Sequence, residues 1–149
     1  MTEINLTQTE ADALMAMPKV AASTETWDYP GAGEVINVPL ESQDGRENFL
    51  LDVHRGRLVL SKGTYQTRAR KVVILVRLDF GGPPHRNPDD DVILCPHLHV
   101  YKEGFADKWA VPVPIDKFPN LSDPWATLGD FQHYCNIVEP PKINRGTLV

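Results

Sequence analysis

The side chains with the clearest capacity for chemistry lie in one stretch, Phe80 to Lys108, which reads FGGPPHRNPDDDVILCPHLHVYKEGFADK. A Gly-Gly-Pro-Pro turn leads to His85 and Arg86, an acidic run follows at Asp89–Asp91, and the segment Cys95-Pro-His-Leu-His-Val-Tyr101 comes next. Successive side chains of an extended strand point to opposite faces. His97, His99 and Tyr101 are therefore expected on one face, with Leu98 and Val100 turned to the core. Three of the chain's five histidines fall here. An unperturbed imidazole titrates near neutrality, so His97, His99 and His85 qualify as general acid or base. Arg86, Arg77 and Lys102 qualify as phosphate holders, and Tyr101 as a proton donor or a stacking ring.

That inventory fits cleavage of RNA without a metal or other cofactor. The ribose 2′-hydroxyl would attack the neighbouring phosphate, which requires a base, an acid and cations. Three other readings stay open. His97 and His99 fit a metal pair completed by His85, Cys95 or one of Asp89–Asp91, although no CxxC, HExxH or facial-triad spacing accompanies them. The loop and strand also fit a protein-binding surface, or simply a polar strand edge. No glycine-rich phosphate loop, serine nucleophile elbow or kinase-type set occurs.

The elements that must position these residues are those of one ordinary domain. At 149 residues the chain is long enough to bury a core. Its two cysteines, Cys95 and Cys135, make no disulfide framework. No apolar run approaches a membrane span, and the first residues lack a basic-then-apolar leader pattern, so a cytoplasmic protein with no membrane partner is expected. The net charge of −5 conceals an asymmetry. Residues 53–78 carry Arg55, Arg57, Lys62, Arg68, Arg70, Lys71 and Arg77 with no acid, whereas residues 1–52 are strongly acidic. Arg68, Arg70 and Lys71 with Arg77 form a candidate nucleic-acid tract; the alternative is a hairpin whose counter-charges come from neighbouring strands.

The spacing predicts a short helix after Thr7, with Glu10 completing a capping box and Ala11, Leu14 and Met17 inward. Strands are expected at 35–40, 48–53 and 58–60, with 61–71 as an exposed, basic connection or strand start. Val72–Phe80 reads as a central strand covered on both faces, with Val72, Ile74, Val76, Leu78 and Phe80 on one side and Arg77 and Asp79 on the other. It is expected to pair with the segment around 92–101, and Trp109–Pro114 to form an edge strand. Ser122 is the expected cap of a second helix with Trp125, Leu128, Phe131 and Cys135 inward. Residues 139–149 read as an extended tail. The fold class that follows is α+β: one domain, residues 1–149, with an antiparallel sheet of about five strands and a helix at each end.

The residues GPPHRNPD (82–89), PHLH (96–99) with Tyr101, and Asp107-Lys-Trp resemble an uncharacterised family of small bacterial and phage proteins. Asp44-Gly-Arg46, Phe49–Asp52, Gln66-x-Arg68 and Tyr134-Cys-Asn136 extend that likeness over most of the chain. More distantly, the histidine strand and its loop resemble small RelE/barnase-like ribonuclease toxins of toxin–antitoxin modules. That likeness implies a sheet packed on helices, metal-independent RNA cleavage, catalytic roles for His85, His97 and His99, and an antitoxin as partner. The phage association implies a different class, an inhibitor that binds a host defence protein without catalysis.

Overall fold

A computed structural model describes residues 5–59 and 61–146. Helix α1 (Gln8–Ala16) starts where expected: the Thr7 hydroxyl accepts from the Glu10 amide and the Glu10 carboxylate accepts from the Thr7 amide. Ala11 and Leu14 are its buried residues. Three-residue strands β1 (Lys19–Ala21) and β2 (Thr26–Asp28) follow, then the long strands β3 (Val35–Ser42), β4 (Asn48–Arg55), β5 (Gly63–Ala69) and β6 (Val73–Phe80). The loop after β6 carries a small ribbon of β7 (His85–Arg86) and β8 (Val92–Ile93). Strands β9 (His97–Val100) and β10 (Ala110–Pro112), helix α2 (Pro124–Tyr134) and strands β11 (Ile137–Glu139) and β12 (Lys142–Asn144) complete the chain.

The architecture is mostly β, which corrects the expected α+β fold with a five-stranded antiparallel sheet. The main sheet has eight strands in the order β10-β9-β6-β5-β4-β3-β1-β11, and β1 pairs β11 in parallel, so the sheet is mixed. Two ribbons of two strands accompany it, β12 with β2 and β7 with β8. Only two helices occur among the described residues, and none is long and apolar enough to cross a membrane.

Physical causes account for the miscount. Residues 63–69 alternate Gly63, Tyr65, Thr67 and Ala69 inward with Thr64, Gln66 and Arg68 outward. This period-2 pattern was masked by charge and by the scarcity of apolar side chains. Leu58 and Val59, assigned to a strand by sequence, are exposed in the turn that precedes β5, and Leu60 lies outside the described residues. Residues 139–144 are not a loose tail, because β11 and β12 are tied to β1 and β2. Strands this short carry no period, and parallel pairing across the whole chain has no local signature.

Strand β6 is central and pairs antiparallel with β9, as expected; Val92 and Ile93 instead pair with the loop at His85–Arg86. A bulge opposite Thr67 and Arg68 turns both Leu75 and Val76 inward, so the apolar face is Val73, Leu75, Val76, Leu78 and Phe80 rather than a strict alternation. Strand β10 is the expected edge. Asp123, one residue after Ser122, caps α2 by accepting from the amides of Trp125 and Ala126.

Both helices cover the same face. Leu6, Leu14, Leu128 and Phe131 join Tyr65, Leu78, Phe80 and Leu98 in one core. The Tyr65 hydroxyl reaches the Pro124 carbonyl, and Lys19 donates to the carbonyls of Met15, Met17 and Cys135, closing both helix ends. The opposite face of the sheet is left to polar side chains.

Candidate functional site

Cross-strand register writes two polar rows across that face. One runs Asn37–Asp52–Gln66–Arg77–His99 and the next runs His54–Thr64–Asp79–His97, each residue opposite the next. A groove of about 480 Å³ lies over them, lined by Asn37, Asp52, His54, Gln66, Arg68 and Arg77 among others. A second pocket of about 260 Å³ shares Thr64 and Asp79 with it and is otherwise walled by Lys62, Pro83, Pro84, His85 and His97.

The loop 81–94 roofs the β9 end of the rows and is pinned there by side chains. Asn87 is buried; its amide nitrogen donates to the Ala110 carbonyl at 2.9 Å and its oxygen accepts from the Ala110 amide at 2.8 Å. It thus satisfies the free edge of β10 as a strand would. His85 Nε2 donates to the Lys108 carbonyl at 2.7 Å. The result is a cluster of three imidazoles, with ring centroids 4.5 Å apart for His85–His99, 5.0 Å for His97–His99 and 5.8 Å for His85–His97.

Hydrogen bonding constrains each ring differently. His99 Nδ1 lies 2.7 Å from the Asp107 carbonyl, which only accepts, so that nitrogen carries a proton. Its Nε2 lies 3.0 Å from Arg77 Nη2 and 3.2 Å from Asp79 Oδ2. A lone pair there accepts from Arg77, whereas a proton there donates to Asp79. His97 Nε2 donates to Asp79 Oδ2 at 3.2 Å, and its Nδ1 is buried with no partner. Burial lowers the His97 pKa against the opposing pull of the Asp79 charge. His85, half-buried, has Nε2 committed to Lys108 and leaves Nδ1 as an acceptor without a hydrogen-bond partner among the described residues.

Asp79 is the hub of the cluster. Besides the histidines it accepts from the Thr64 hydroxyl at 2.9 Å and from Arg77 Nε at 3.3 Å. Burial pushes its pKa up, but the His99 bond, the Arg77 charge and the Thr64 bond outweigh burial and hold the carboxyl far below its usual range. Arg77 closes the network by donating to Asp107 at 2.7 Å.

The residues singled out by sequence divide into three groups. His85, His97, His99 and Arg77 converge. Tyr101 lies in the core beyond the end of β9, where its hydroxyl bridges the amide and carbonyl of Leu6. The others face elsewhere: Arg86 pairs weakly with Asp90, and Lys102 stands over the Trp109 ring at 4.1 Å. The basic tract is paired internally. Arg68 donates to both oxygens of Asp52 and Arg70 reaches Glu47, while Lys71 is exposed in the β5–β6 turn. Sequence reading did not place Asp79, Thr64, Lys62 or Asp107 among the site residues. The legible signal for Asp79 was its spacing: Arg77-x-Asp79 on one strand matches His97-x-His99 on its neighbour.

A fold with one helix-covered face and one polar, loop-roofed face describes the class of this protein. Residues 6–137 match the Family of unknown function (DUF6978), and the chain belongs to that family. No curated protein and no solved structure matches it.

Proposed function

We propose that this protein cleaves single-stranded RNA without a metal ion, at the pocket walled by Lys62, Thr64, His85 and His97, as the toxin of a toxin–antitoxin pair. The observation that carries the reading is the state of His85. It is a half-buried imidazole in a concave site, with one nitrogen anchored to a carbonyl and the other available as a base. In the reaction His85 Nδ1 takes the proton of the ribose 2′-hydroxyl, whose oxygen attacks the adjacent phosphorus. The bond to the 5′-oxygen breaks, that oxygen takes a proton from water, and a 2′,3′-cyclic phosphate remains. Lys62, which has no carboxylate partner among the described residues, faces the charge developing on the phosphate. His97 on Asp79 holds the pocket wall. The likeness of this strand and loop to proline–histidine-rich ribonuclease toxins supports the same reading.

A second reading, an inhibitor that binds a host defence protein, is favoured by the carboxylates that neutralise Arg68, Arg70 and Arg77. Cleavage assays with His85→Ala and Lys62→Ala separate the two. The proposal expects a fall of about two to four orders of magnitude for His85→Ala, the usual worth of a positioned acid or base. Undiminished cleavage in that variant, or none by the parent protein on any single-stranded RNA, contradicts it.

A further inference from the structure

We infer that Asp79, His97 and His99 form a binding site for one divalent transition-metal ion of the zinc class, beneath the pocket and independent of the cleavage reading. The candidate ligand atoms of these three side chains lie within 4.8 Å of one another. The shape of the set is more telling than its composition. Asp79 Oδ2 is 3.2 Å from His97 Nε2 and 3.2 Å from His99 Nε2. Zinc–nitrogen and zinc–oxygen bonds of about 2.0–2.1 Å at tetrahedral angles place neighbouring ligands about 3.3 Å apart. These two edges are of the tetrahedral size, and the whole set spans no more than 4.8 Å.

The orientation of His99 points the same way. Ligating histidines characteristically donate their second ring nitrogen to a carbonyl or carboxylate, which fixes the tautomer and aims the lone pair. His99 does this through Nδ1 to Asp107. Both histidines are nearly inaccessible, at 3% for His97 and 1% for His99, and they sit on adjacent residues of one face of β9. Such a scaffold spends no further side-chain entropy on ligation.

A cation already stands against these atoms. Arg77 Nη2 is 3.0 Å from His99 Nε2 and its Nε is 3.3 Å from Asp79 Oδ2. Arg77 and the ion are thus alternatives for the same lone pairs. The guanidinium remains tethered to Asp107 by its Nη1 bond of 2.7 Å when it yields. Coordination completes with water. The nitrogen and carboxylate donors select a zinc- or cobalt-class ion over magnesium or calcium, which prefer all-oxygen shells.

Calorimetric titration of the metal-stripped protein with zinc alone tests the site. The expected result is saturable binding of one ion per chain, lost in His99→Ala and in Asp79→Asn, and tightened by about ten-fold or more in Arg77→Gln, where the competing cation is gone. Cobalt provides a readout that requires no variant to fold: the parent protein should develop the intense visible absorption of a tetrahedral site. Absence of saturable zinc binding, a cobalt spectrum of the weak octahedral kind, or unchanged binding in folded His99→Ala protein overturns the inference. Failure to cleave RNA has no bearing on any of these readouts.

Discussion

Asp52 shows how a single side chain sets the character of the polar face. It accepts from Asn37 and Gln66, each at 2.7 Å, and from Arg68 through two bonds, at 2.6 and 2.9 Å. Burial pushes its pKa up from 3.8, but the bonds from Arg68, Gln66 and Asn37 outweigh burial, and the net displacement is downward. A carboxyl whose folded-state pKa is depressed contributes stability that is present above its unfolded value and lost as pH falls through the folded one. Asp52→Asn should therefore cost about 2 kcal/mol near neutrality, on the scale of hydrogen bonds to charged groups. The gap from the parent protein should close on acidification below 3.8. Denaturant melts at several pH values measure it, and a gap that stays constant down to strong acid contradicts this account of Asp52. The same bonds commit the Arg68 guanidinium to Asp52.

Among elements, the loop 81–94 matters most, because it brings His85 over strand β9. Its anchor is Asn87, which borrows the hydrogen bonds of a strand partner from Ala110. Asn87→Ala should leave the eight-stranded sheet folded while hydrogen exchange across 82–94 quickens and RNA cleavage slows. Unchanged exchange there would show that the loop is held by something else. The loop also marks the limit of what sequence could tell. The capping box at Thr7, the central strand 73–80 and the edge at 110–112 were legible, because each has a local period or a local motif; the shared face of Arg77 and the histidines depended on the register of β6 with β9, which no local pattern fixes. The partner of Asn87 was not, since a polar residue in a proline-rich loop gives no hint of which backbone it will satisfy. Tyr101 was expected beside His99 because strict alternation was assumed to continue. The strand ends at Val100, and the Tyr101 amide bonds to the Leu75 carbonyl at the bulge of β6, which turns the ring into the core. Strand β5 was missed for the opposite reason: it alternates correctly, but its inward residues are small or polar.

At the scale of the whole molecule, the sheet separates two tasks. One face, buried under α1 and α2, carries the apolar core; the other carries the polar rows, whose charges are largely matched by the chain's own carboxylates. On the proposed reading, a protein of net charge −5 organised in this way would hold RNA through few phosphate contacts, with Lys62 at the pocket as the principal one. The central claim is that this pocket performs transfer to the neighbouring 2′-hydroxyl, with no ion in the reaction. The most direct test is end-group analysis of single-stranded RNA incubated with the purified protein in excess chelator. The account predicts fragments ending in a 2′,3′-cyclic phosphate, formed at the same rate with and without chelator. Fragments carrying a 5′-phosphate and 3′-hydroxyl, or cleavage abolished by the chelator, would contradict it.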